Sequence, residues 1–78
     1  MKRVKIVERK LGREGNLGQQ IGDLIEIDPR QNSKEYLDTL IHECLHACFP
    51  DLSEQAVVDS ANVITDAVWR QNYRRIQK

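Results

Sequence analysis

The stretch NSKEYLDTLIHECLHACFP, residues 32–50, decides how this chain is read. Leu37, Leu40, Ile41, Cys44, Leu45 and Cys48 recur in steps of three and four, the spacing of one helical face. Asn32 or Ser33 can cap its start, and with Asn32 as the cap Glu35 stands where a capping box needs it. Pro50 ends the helix near Phe49, because proline disfavours helix in the residue before it and has no amide hydrogen to donate.

Inside that helix His42-Glu43-Cys44-Leu45-His46 spells HExxH. Imidazoles at i and i+4 lie about one turn apart on nearly the same face, so they can converge on one ion. Glu43 is rotated by about 100° from His42 and is poorly placed to join them, but it can reach a water held at the ion's open position and take its proton. Measured from Leu37, the residues Leu40, Ile41, Cys44 and Cys48 fall within about 60°, whereas the histidines point about 140–180° away. They are therefore not read as core. The alternative is a pair of solvent-facing histidines beside an ordinary helix-forming glutamate.

Two imidazoles leave a catalytic zinc short of the three protein ligands usual for it. The chain has no third histidine, and the carboxylates that follow the motif are Asp51, Glu54, Asp59 and Asp66. Beyond Pro50 a second helix restarts from Asp51 or Ser53, carrying Val57, Val58, Ala61, Ile64, Thr65 and Val68 on one side. Glu54 lies in the middle of that stripe, while Asp59 and Asp66 point roughly 120–140° away from it. If the break at residues 49–51 makes an antiparallel helical hairpin, His46 and Glu54 each lie about one turn from it and share a level. Glu54 is thus the expected third ligand, with Asp51 the runner-up. If Asp51 instead caps the second helix, Glu54 becomes the last residue of a capping box and needs no metal. Arg70, Arg74, Arg75 and Lys78 suit the negative end of the helix dipole and a solvated surface.

Upstream of residue 32 the period changes. VKIVERKL (residues 4–11) alternates like a half-buried strand, and IGDLIEID (residues 21–28) does so again, with Ile25 and Ile27 on one face until Pro29 stops it. Gly12, Gly15 and Gly18 read as a flexible turn region between them. Two antiparallel strands are expected, and QQIG (residues 19–22) can add a third. The fold class is α+β: a small antiparallel sheet of two or three strands followed by two antiparallel helices, one domain over residues 1–78.

Composition bounds the function. Seventy-eight residues are 40% hydrophobic and 31% charged, a globular balance rather than a disordered one. Twelve basic and twelve acidic residues cancel, and only four aromatics occur, so neither phosphate attraction nor base stacking points to nucleic acid. No apolar run approaches the roughly 20 residues of a membrane span, and the basic start lacks the apolar core of a signal segment, so a cytoplasmic protein is expected. Cys44 and Cys48, four apart on one helix, are read as reduced, buried thiols. A single core of this size contributes only about 3–5 kcal/mol, so a staple or partner is expected.

The stretch IHECLHACFPDLSEQAV (residues 41–57), within a span from Leu24 to Val68, resembles the zincin metallopeptidases, and in particular compact gluzincin-type peptidases of bacteria and their phages. In that family a strand precedes the active-site helix and a glutamate from a following helix completes the site. The resemblance implies zinc bound by His42, His46 and Glu54, with Glu43 as general base. Larger relatives add an oxyanion donor; Tyr36, Arg70 and Tyr73 have suitable side chains, but packing is the preferred account of the two tyrosines and solvation that of the arginine. The implied activity is peptide-bond hydrolysis on a peptide or protein substrate laid along an exposed sheet edge. Selectivity is expected to be weak, or supplied by a second copy of the chain or a partner protein. The competing reading is a zinc-bound regulatory or interaction module of zincin shape without turnover.

Overall fold

The computed structural model describes residues 1–12 and 15–76. Three short strands, β1 (Lys5–Glu8), β2 (Gly18–Ile21) and β3 (Leu24–Ile27), precede two helices, α1 (Ser33–Cys48) and α2 (Glu54–Arg70). The α+β order, the third strand and the two helices follow the expectation from the sequence. One pairing departs from it. β2 and β3 form an antiparallel hairpin, but β1 pairs with β3 in parallel, giving the order β1-β3-β2 and a mixed sheet. The hairpin turns on Gly22, whose φ of 59° is a backbone shape that glycine adopts without steric cost.

β3 lies between β1 and β2 because the segment joining those two crosses its end. Arg9 N–H donates to the Ile27 carbonyl at 3.0 Å, and Asp28 N–H to the Leu17 carbonyl at 2.9 Å. The Asp28 carboxylate, 2% exposed, accepts from Leu11 N–H at 2.9 Å and from the Arg30 guanidinium at 2.6 and 2.9 Å. Arg30 and these backbone amides hold its pKa well below the usual carboxylate range. The register pairs Ile6, Ile25 and Gln20 on one face of the sheet. Ile25 and Ile27 are fully buried, each worth about 1.5–3 kcal/mol of transfer free energy.

Helix ends follow local chemistry. Asn32 and Glu35 form the capping box at the start of α1, and the Phe49 amide closes its end on the Leu45 carbonyl. α2 ends earlier than the basic residues suggested: Asn72, at φ 64°, forms a Schellman turn in which Tyr73 N–H reaches the Val68 carbonyl and Asn72 N–H that of Trp69. Arg74 and Arg75 therefore lie beyond the helix, and Lys78 lies outside the described residues.

α1 packs on β2 and β3 on one side and along α2 on another, while α2, among the described elements, packs on α1 alone. The helices run antiparallel, since Thr65 of α2 donates to Asp38 early in α1, whereas Glu54 meets His42 and His46 further along it. Having two neighbours changes which face of α1 is most buried. The residues most enclosed are Thr39, Glu43 and Ala47, not the apolar stripe, and Cys48 is exposed with Cys44 half-buried. Both thiols are free, as expected, but the pair is not buried.

Candidate metal centre

Ser53 caps α2, accepting from Ala56 N–H at 3.1 Å, which makes Glu54 the first helical residue rather than the last member of a capping box. From there its side chain reaches across to α1. Glu54 Oε1 lies 2.9 Å from His42 Nε2, and Oε2 lies 2.9 Å from His46 Nε2. The two rings stand one turn apart, their centroids separated by 4.9 Å and their planes inclined by 65°. Asp51, the alternative third ligand, stays exposed in the interhelical turn.

Taking one donor atom from each of His42, His46 and Glu54, all lie within 4.8 Å of one another. Among the described residues this is the only group of three or more His, Cys, Asp or Glu side chains brought together in that way. Ligand atoms around a tetrahedral zinc ion are separated by about 3.3 Å, given bonds of about 2.0–2.1 Å, so modest side-chain rotations accommodate one. Two nitrogens and one carboxylate also form a donor set that zinc favours, with a position left open. The residues present fit a divalent metal.

The histidines are neither core nor fully solvated, with side chains 21% and 24% exposed, whereas Glu54 is 66% exposed. Glu54 thus meets the rings from the solvent side rather than facing the core as its stripe suggested. Glu43 behaves in the opposite way. It is 9% exposed and turns toward the sheet, where its Cγ would lie 3.4 Å from a Cβ at Gly18. Burial pushes the Glu43 carboxyl above its ordinary pKa; the neighbouring imidazoles pull it down and Glu54 adds to the rise.

The chain matches no family model, no curated protein and no solved structure.

Sequence reasoning missed Gly18. It was read as part of a flexible turn, but it opens β2, where a Cβ would approach Thr39 Cγ2 to 2.5 Å and Glu43 Cγ to 3.4 Å. A glycine at the start of a strand pattern is itself the signal of close approach. The oxyanion candidates lie elsewhere. Tyr36 donates to Glu8 at 2.8 Å, Arg70 pairs with Asp66 at 2.9 Å, and Tyr73 is exposed beyond the end of α2. Among the described residues no helix is long and apolar enough to cross a membrane.

Proposed function

We propose that this chain is a minimal zinc-dependent peptidase of the zincin type, centred on His42, His46 and Glu54, with Glu43 transferring the proton. One observation carries the reading: a carboxylate from α2 meets both Nε2 atoms of HExxH at 2.9 Å, beside a buried glutamate on the same turn of α1. Bound to these donors, zinc supplies Lewis acidity toward a water and a peptide carbonyl. The two imidazoles and Glu54 would hold the ion, with Glu54 on its solvent side. Glu43 accepts a proton from the attacking water and delivers it to the leaving amine as the C–N bond breaks. Its raised proton affinity suits that exchange, since a base of very low pKa would give the proton up too readily to take it.

The substrate in this reading is an extended peptide or protein segment. Among the described residues β2 is an edge strand hydrogen-bonded to β3 on one side only, so its other side offers main-chain donors and acceptors to an added strand. Gly18, at its start, lies against Glu43 and would bring a bound peptide's backbone close to that carboxylate.

The competing reading keeps the metal and drops the turnover. It is favoured by the engagement of Tyr36 with Glu8 and of Arg70 with Asp66, which occupies two candidate oxyanion donors away from the centre. Glu43→Gln separates the two. The peptidase reading expects the variant to retain stoichiometric zinc while cleavage of an unfolded protein substrate falls about 10²- to 10⁴-fold. Equal cleavage by variant and parent, with zinc retained in both, removes it.

A further inference from the structure

At the opposite end of the helix pair from the metal centre lies a cavity of about 400 Å³ that the reading above does not use. Its walls come from three elements: Ile6 of β1, Leu37 and Leu40 of α1, and Val68 and Trp69 of α2. It exists because α1 covers β2 and β3 but not β1. Ile6 shares the sheet face of the fully buried Ile25 and pairs with it in register, yet remains 46% exposed.

We infer that this cavity binds a small hydrophobic carboxylate, its apolar body against Leu37, Leu40 and Trp69 and its carboxylate on the Arg74 guanidinium. Arg74 and Arg75 both border the cavity. Arg75 is already matched, being ion-paired with Glu8 and lying over the Tyr36 ring. Arg74 pairs with no carboxylate among the described residues. Its guanidinium lies over the Trp69 ring, 3.8 Å from the centroid, and donates to the Trp69 carbonyl at 3.4 Å. Held over the indole, the guanidinium keeps the N–H groups not taken by the Trp69 carbonyl for an anion. An open apolar hollow bordered by one guanidinium that has no carboxylate partner among the described residues matches a ligand with an apolar body and one negative end. Its volume, near the lower end for ligand sites, suits one alkyl chain rather than a two-chain lipid.

Trp69 is the only tryptophan, so its emission reports on the cavity directly. Decanoate, kept below its micelle concentration, is expected to shift that emission saturably at one molecule per chain. Decanol should bind about tenfold more weakly for want of the charged hydrogen bonds, and decyltrimethylammonium should give no saturable shift. Arg74→Gln, an exposed substitution whose fold is checked by circular dichroism, should bring decanoate down to the affinity of decanol, and Arg74→Lys should recover part of the loss. Metal-free and zinc-loaded protein should bind decanoate alike, so the outcome is independent of the peptidase reading. Equal affinity for acid and alcohol overturns the inference, as does emission that follows protein concentration instead of ligand, the sign of a second copy filling the cavity.

Discussion

Glu43 packs against Gly18: a Cβ on the glycine would lie 3.4 Å from Glu43 Cγ. The contact ties the sheet edge to the proton-transfer group of the proposed site. The same added Cβ would also come within 2.5 Å of Thr39 Cγ2, and Thr39 is tethered through its hydroxyl to Gln31 at 2.7 Å.

Gly18→Ala should therefore destabilise the protein by about 1–3 kcal/mol, the usual cost of overpacking. Urea denaturation measures it. The group that must give way is Thr39, one turn before Glu43 on the same enclosed row of α1, so cleavage at the proposed site should fall further than zinc affinity does. An alanine variant as stable as its parent would show that the helix and strand are not in this close contact.

Zinc should act as the staple that so small a core needs. At a free concentration a hundredfold above its dissociation constant, a ligand bound only by the folded state adds about 2.7 kcal/mol, which for a domain of this size raises Tm by roughly 10–20 °C. Differential scanning fluorimetry with and without a chelator reads the shift. His46→Ala and Glu54→Gln should each abolish most of it at the same zinc concentration, whereas Asp51→Asn should leave it intact, since Asp51 is outside the cluster.

The raised pKa of Glu43 makes a prediction about metal-free protein. The folded chain keeps this proton at pH values where the unfolded chain, near the ordinary glutamate value of about 4.3, has lost it. Stability therefore declines as pH rises through that interval, and at neutral pH the folded state bears the cost of a buried, ionised carboxylate. Metal-free Glu43→Gln should melt above metal-free parent at pH 7, with the gap closing as pH drops below about 4. A gap that widened on acidification would contradict the burial of this side chain.

Asp28 carries the opposite sign. Its pKa is depressed by Arg30 and by the Leu11 and Arg30 amides, so its contribution is present above the ordinary aspartate value of about 3.9 and is lost as pH falls toward the much lower folded value. Asp28→Asn should lower Tm at neutral pH, and thermal melts of the two proteins should converge on acidification. It should also loosen residues 9–12, measurable as faster amide exchange at Leu11, whose N–H the carboxylate holds.

The chain's local chemistry settled the helices and the placing of the two imidazoles. Apolar steps of three and four, the Asn32–Glu35 box and Pro50 set α1 within a residue at either end, because capping and proline geometry act over a few neighbours. HExxH places two imidazoles on one face of any helix that contains it, so His42 and His46 needed no tertiary information. The alternation of Ile25 and Ile27 likewise showed which face of β3 is buried.

What the fold alone decided is partnership. Period-two alternation is the same in parallel and antiparallel strands, so nothing local in residues 4–11 announced that β1 would pair with β3 in parallel, a choice fixed by a crossing segment pinned to Asp28. Helical periodicity shows that α1 has an apolar face but not that a second neighbour would enclose Thr39, Glu43 and Ala47 instead. Glu54 was already the expected partner of the histidines; what waited on the fold was the cap, and with Ser53 rather than Asp51 starting α2 the Glu54 carboxylate meets both rings. Two caps so close in sequence differ little in local energy, and the packing of α2 on α1 selects between them.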